Sequence, residues 1–525
     1  MKLFAMAALA LAVVATTACS KDDEQAESTG KVVVSTTTVS LPGGTKALTS
    51  QGVKTFSDGD EVAVVYENTS STLVKATVTL DEASISNGGK TASLTVSMTD
   101  PKIDGTVKII YPAAMATDAG AVNYAALANQ DGRLETIASS LDLALFEGSL
   151  SGEELPASPR LDNPLAVCEF NIKNATGSSD LTSSITMLYI ADGTSSYYLG
   201  GLSGLSSIWV AMKPVESSAT LTFHAAAGNT RYVKEISGKT LAANNMYHVA
   251  VGTTQLREGA LFGTFSVSGT SAVRFSQGNL KYDNGTWSFH TNQYDYMGGT
   301  SHTVSVSGST DLFGWVGASS NFTDVDQYGV TTSVQTNDVN GYGNVADEPL
   351  KADWGTLAIS NGGNTENSGW RTLTGSSDAE WQYLFDTRTA STVGATANAR
   401  YAKAYLFGTT HGVILFPDNY IHPTDVAAPT GINTTGNTSW DANTYTADDW
   451  AKMEAAGAVF LPAAGMRFDS SVYDVGTIGY YWSSSPDPSY LPYAYDVDFN
   501  SGGVLPANRS TRSFGFSVRL ACPVE

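Results

Sequence analysis

The sequence predicts a mainly β protein: two β-sandwiches followed by an α+β domain. Three observations lead there. Along most of the chain, short stretches alternate apolar and polar residues with period two, the spacing of half-buried strands. Gly reaches 50 among 525 residues while charged residues make up only 15%, a mix that suits short strands and many turns more than helices. Helical spacing with capping residues first enters at Ser377. A chain of this length divides into several domains, because a single core stops growing near about 250–300 residues.

In chain order, the opening MKLFAMAALALAVVATTACS has one early Lys2, an apolar run from Leu3 to Ala15 and small residues before Cys19. It reads as a secretion signal over residues 1–18, since the run is too short to span a bilayer. Residues 19–30 are polar and cannot bury a core, so they form a tether. The first sandwich, 31–159, carries alternating stretches from Val32 to Leu41, Glu61 to Tyr66, Lys75 to Leu80, Ala92 to Met98 and Thr106 to Tyr111. A polar stretch from Asn123 to Phe146 and a Ser/Pro/Gly-rich one from Glu147 to Pro164 set a boundary near Pro159.

The second sandwich, 160–255, has strands at Leu165 to Lys173, Ile185 to Ile190, Leu205 to Met212, Ala219 to Ala225, Tyr232 to Ile236 and Tyr247 to Val251. After a turn-rich linker, 256–260, the third domain runs over 261–525 and is rich in Trp and Tyr. Val267 to Leu280 and Trp287 to Phe289 are strand-like, and Gly298 to Leu357 is a wide polar stretch. Ser377 and Glu380 have capping-box spacing, with Trp381, Leu384 and Phe385 as the apolar stripe of a helix. Thr446 starts a second helix carrying Trp450 and Met453, which Gly457 ends; strands flank it at Gly412 to Phe416 and Ala458 to Leu461.

Near the end, Tyr493, Tyr495, Val497 and Phe499 alternate with polar residues, as do Phe514, Phe516, Val518 and Leu520. The Gly- and Pro-containing segment Ser501 to Ser513 between them reads as a long presenting loop, too irregular for a tight hairpin. Tyr480, Tyr481, Tyr490, Tyr493 and Tyr495 cluster there with Ser, Asn and Asp, the mixture that paratopes use because Tyr gives large contact area at low entropic cost.

A net charge of −22 and the absence of any Lys/Arg run exclude nucleic acid as a partner. Cys168 and Cys522 lie in different domains, beside no His or second Cys, and read as buried small hydrophobes. His302, His411 and His422 have no Ser, Cys or carboxylate partner at a recognised spacing, so no catalytic residues are assigned and the chain is read as a non-enzyme. No cofactor or metal ligand is assigned either. Calcium stays open at Asp324 and Asp326 and at Asn337, Asp338 and Asn340, which offer oxygens but are equally ordinary turn formers.

Four resemblances add to this reading. Thr17-Ala18-Cys19 resembles a bacterial lipobox, which implies cleavage before Cys19 and lipidation of it, and the acidic run after Ser20 resembles the surface-export signal of Bacteroidetes lipoproteins. Phe56 to Val64, Ile109 to Pro112, Gln130-Asp131-Gly132 and Ala166 to Ile172 look like the two-domain fimbrillin family of Bacteroidetes pilus subunits, over about residues 31–255. That implies transthyretin-like or Ig-like sandwiches, an outer-membrane lipoprotein, removal of an N-terminal strand and polymerisation by strand exchange, with Lys46 as the candidate processing site. Asp378 to Trp381, Val459 to Arg467, Tyr481 to Ser485 and Gly515 to Arg519 look like the C-type lectin-like fold shared with formylglycine-generating enzymes and with the variable receptors of diversity-generating retroelements, over about 261–525.

The variable-receptor resemblance implies a solvent-facing ligand set of Asp487, Ser489, Tyr490, Tyr493, Tyr495, Asn500, Ser501, Asn508 and Ser510. Tyr493 and Tyr495 share a strand face with Val497 and Phe499 and so are equally readable as core, whereas Tyr490, Asn500 and Asn508 are display residues. Trp482 and Phe516 are expected in the core, and Arg519 in a structural ion pair. The expected function is a lipid-anchored adhesin, a fimbrial tip or accessory subunit, binding a host or bacterial surface protein or glycan. The rivals are a non-polymerising diversified receptor and a surface glycan-processing enzyme.

Overall fold

The computed structural model describes residues 30–41, 54–297, 309–315, 353–468, 471–490 and 492–524. The signal and Cys19, the processing candidate Lys46, His302 and the calcium candidates at 324–340 lie outside them. The described chain is mainly β.

The first sandwich is built from β1 (Val32–Ser40), β2 (Glu61–Glu67), β3 (Leu73–Thr79), β4 (Ile85–Ser86), β5 (Thr91–Thr99) and β6 (Thr106–Tyr111), with β7 (Asn129–Gln130) and β8 (Ala144–Ser149) after them. One sheet has the order β1-β5-β4 and the other β3-β2-β6-β8. β5 shows the expected alternation, burying Ala92, Leu94, Val96 and Met98. β2 departs from it, since Val62 to Tyr66 are all buried. Val62, Val64 and Tyr66 face the core between the two sheets, while Ala63 and Val65 turn the other way into the core of the second sandwich. A strand covered on both faces reads as a continuous apolar run.

The second sandwich contains β9 (Ala166–Asn174), β10 (Met187–Ala191), β11 (Ser196–Gly200), β12 (Ile208–Met212), β13 (Thr220–Ala227), β14 (Thr230–Ser237) and β15 (Asn245–Gln255). Its strands, joined at the edge by β7 from before the expected boundary, run in the order β12-β9-β15-β14-β13-β10-β11-β7. The long β15 pairs parallel with β9 along most of its length and with β14 only at its end, which joins the two layers. Cys168 is a free, buried thiol here, and Cys522 is buried in the last domain.

The last domain, the head, folds around short sheets and the helix Ala447–Ala455, whose Thr446 capping box has both reciprocal bonds. Gly457 follows that helix at φ +103, a backbone state that favours glycine. The other cap differs from expectation. The helical turn starts at Glu380 after Ala379, with no side-chain cap. Instead of reaching back to Ser377, the Glu380 carboxylate takes the Arg371 fork (2.7 and 2.5 Å) and the Thr374 N–H at 2.9 Å. A buried-side guanidinium is a stronger partner than a neutral backbone amide. Trp381, Leu384 and Phe385 are buried as the spacing predicts.

The head rests on the second sandwich through a shared core. Tyr189 and Ala191 of β10 pack in one cluster with Trp450 and Met453 of the helix. Tyr189 Oη donates to Ile421 O at 3.1 Å, and His224 of β13 bonds Ala455 O through Nδ1 at 2.7 Å while its ring stacks on Phe262.

Candidate functional site

The C-terminal residues form a three-stranded antiparallel sheet: Ile478–Pro486, Tyr493–Asn500 and Gly503–Thr511. The expected long loop is therefore a hairpin. Asn500 pairs with Gly503 across a Ser501-Gly502 turn, and Asn500 Oδ1 accepts from the N–H of Gly502 (2.7 Å) and Gly503 (3.1 Å). An Asx turn of this kind lets the chain reverse without the primed-turn residues a hairpin otherwise needs. The register slips between Asp496 and Asp498, where their partners are Asn508 and Leu505, so the bulge falls at Pro506 and Ala507. A bulge is where a strand tolerates proline. The expected strand from Phe514 to Leu520 is broken into Gly515–Phe516 and Leu520–Pro523.

The middle strand sorts its side chains onto two faces. Val497 and Phe499 enter one core with Tyr481, whereas Ala494 enters another with Trp482 and Phe516, both fully buried. Trp482 stacks on Phe516 at 4.3 Å and donates from Nε1 to Phe313 O at 2.6 Å. On the face of Ala494, cross-strand pairing sets Tyr480 beside Asp498 and Trp482 beside Asp496. Asp496 is 1% exposed, and its Oδ2 accepts from Asn508 Nδ2 at 3.2 Å. Burial pushes its carboxyl up to about 7, against the hydrogen bonds of Asn508 and Ser510. Burial, with Asp474 nearby, pushes Asp498 up to about 6.

The expected ligand set is thus divided. Asn508 and Ser510 stand on the Asp496 face, and Asn500 and Ser501 at the hairpin tip are taken up in the turn, where Ser501 O accepts from Lys403 Nζ at 2.9 Å. At the opposite end of the strand, Asp487, Ser489, Tyr490, Tyr493 and Tyr495 are brought together. Asp487 is buried and organises the turn, accepting from Ser489 N–H (2.8 Å), Ser489 Oγ (2.6 Å) and Arg509 Nη1 (3.0 Å). Burial raises its carboxyl, but these bonds outweigh that and hold it below the ordinary aspartate value. Tyr490 is 54% exposed and meets Tyr493 edge to face at 4.8 Å. Tyr493 and Tyr495 are half-buried.

Beneath this edge Arg512 donates from Nε to Tyr493 O at 3.0 Å and lies over the Trp315 ring at 4.5 Å. Arg509 was not in the expected set; reading 503–511 as a strand would have placed it on the same face as Tyr495, its paired neighbour. Arg519 is buried, and in place of the expected ion pair it meets no carboxylate among the described residues. It donates to Asn279 Oδ1, Ser276 O, Gln293 O and Phe460 O at 2.7–3.1 Å, so its guanidinium is satisfied by neutral oxygens, as a buried polar group must be. His411 bonds Gly476 O and stacks on Trp440, and His422 lies between Tyr420 Oη and Val426 O.

No three His, Cys, Asp or Glu side chains among the described residues are grouped to hold a metal ion. No helix among them is long and apolar enough to cross a membrane. A cavity of about 450 Å³ lies at the seam of second sandwich and head, lined by His224, Glu235, Phe262, Arg274 and Asn419 among others.

A family model described as a domain of unknown function, DUF8237, matches residues 433–521, which include the whole C-terminal sheet. No curated protein matches the chain. Among solved structures, a fimbrial assembly protein from Parabacteroides distasonis is similar at 12% identity and a TM-score of 0.25, covering 47% of this chain and 97% of its own. A fimbrial protein from Bacteroides ovatus is similar at 11% identity and 0.22, over 94% of this chain and 99% of its own. The tip fimbrial protein Mfa3 from Porphyromonas gingivalis, truncated at its C-terminus, is similar at 10% identity and 0.20, over 39% of this chain and 81% of its own. At these scores the likenesses stand as likenesses, and the fold described above rests on this chain's own strand pairing.

Proposed function

We propose that this chain is a lipid-anchored surface adhesin, a fimbrial tip or accessory subunit of the outer membrane, whose C-type lectin-like head binds a protein or glycan through the edge formed by Ser489, Tyr490, Tyr493, Tyr495 and Arg509. The observation that carries the proposal is the exposed Tyr490 standing on a turn that Asp487, Arg509 and Arg512 hold from below. A large amphipathic ring presented on a fixed backbone binds at low entropic cost. The lipobox-like Cys19 supports the anchor. β1 pairs with β5 along one edge, while its other edge meets the segment 157–161 only from Thr38 onward and leaves Val32 and Val34 exposed, which supports strand exchange with other subunits.

Binding is noncovalent in this reading. Asp496 and Asp498 are paired carboxylates, the feature a glycan-processing enzyme needs, but Asp496 is sealed from solvent and hydrogen-bonded to Asn508; a general acid must reach its substrate. The test is whole-cell and glycan-array binding with Tyr490→Ala and Tyr493→Ala combined. Loss of binding with an unchanged melting temperature supports the proposal; unchanged binding removes this edge from it.

A further inference from the structure

The first sandwich holds a lysine and an aspartate in an arrangement that suits a covalent bond better than an ion pair. Lys54 and Asp142 are 5% and 1% exposed and stand 88 positions apart in the sequence. Lys54 Nζ lies 3.0 Å from Asp142 Oδ2. That contact is one of distance alone: Oδ2 has no hydrogen-bond partner, while Oδ1 accepts from Asn163 Nδ2 at 2.5 Å. The amine itself donates to the Asp142 backbone carbonyl. The Tyr111 ring covers the amine at 4.4 Å, and Phe56 packs on that ring at 4.9 Å. The Tyr111 hydroxyl donates to Asp60 Oδ2 at 2.6 Å, which brings a second carboxylate to the edge of the same ring.

We propose that Lys54 and Asp142 are the two halves of an intramolecular isopeptide bond. The amine attacks Asp142 Cγ; the Nζ–Cγ bond forms and the Cγ–Oδ2 bond breaks. Oδ2 leaves as water with one hydrogen from the amine and one from the carboxyl, and nothing is oxidised or reduced. The product's groups are already served. Its carbonyl, the former Oδ1, keeps the Asn163 amide, its N–H keeps the Asp142 backbone carbonyl, and the oxygen that departs is the one no other group holds. Removing two charges from the core also removes their desolvation cost, which an ion pair so deeply buried offsets only with near-ideal geometry. Burial holds the Lys54 amine below the usual lysine range although Asp142 and Asp60 oppose it, which favours the neutral, nucleophilic form.

The bond would join the segment entering β2 to the segment entering β8, so a pull along the chain would bypass the strands between them. This holds whatever the head binds. The test is a tryptic digest of the full-length chain under denaturing conditions. Trypsin does not cut after an acylated lysine, so the expected product joins the peptide containing Lys54 to residues 134–160, with the mass of one water missing and no cleavage after position 54. Free peptides 47–54 and 134–160, both at full mass, would overturn the proposal. Lys54→Arg keeps the charge without a nucleophilic amine and should release residues 134–160 unlinked.

Discussion

The cores of the sandwiches and of the head are built on different terms. Among the described sandwich residues the buried charged side chains are Lys54, Asp142 and Asp192, whereas the head buries Arg388, Arg467, Arg512 and Arg519. In the sandwiches, long paired strands satisfy the backbone, so the side chains between sheets are free to be apolar. Outside its C-terminal sheet the head's strands are mostly short and its connections wide, and its buried arginines add donors to backbone carbonyls there. Arg388 bonds Leu384 O, Arg400 O and Phe416 O besides Asp418, as Arg519 bonds three backbone carbonyls. An irregular surface can thus be held still by a polar interior, which a site built on turns requires.

The largest effect expected from this contrast is at Arg519. Arg519→Ala leaves four buried oxygens without donors and should destabilise the head by about 3–5 kcal/mol, the scale of breaking a buried charged contact. A head-specific melting transition measures it, and a change below about 1 kcal/mol, the scale of an ordinary surface substitution, would break the comparison.

A second effect, of comparable size, is expected from pH. Asp496 and Asp498 have folded values raised to about 7 and about 6, above the about 3.9 of an unfolded aspartate. Between those limits the folded chain holds more protons than the unfolded one, so head stability falls as pH rises from about 4 to about 7 and is level above that. The groups facing them are Asp474, Tyr480, Asn508 and Ser510, none of them a cation that would reverse the sign. Asp496→Asn should flatten most of this slope in melts at pH 4 and 7.5; an unchanged slope would place its origin elsewhere. Smaller than either, Thr446→Ala should cost about 1 kcal/mol through the lost cap, read in the same head transition.

The same difference explains what was legible. β2, β5 and β6 follow from apolar residues bounded by turn formers, and the Thr446 cap from its Asp three positions on. β11, at Ser196–Gly200, was missed because five residues with two adjacent tyrosines carry no alternation. In the head, Ser377 and Glu380 had the spacing of a capping box, but Arg371 outcompeted the backbone for the carboxylate. The hairpin arm 503–511 was hidden by Pro506 and the glycines before it, because a bulge that admits proline is set by cross-strand register. The buried state of Asp487, which the sequence put on display, depends likewise on Arg509, 22 positions away.

The measurement that tests the division of labour most directly is site-specific photocrosslinking on intact cells. A photoreactive residue is placed at Tyr490 on the head or at Ile103, which is 67% exposed on the first sandwich. The account predicts capture of the surface ligand from position 490 and none from 103. Capture from 103 with none from 490 would contradict it.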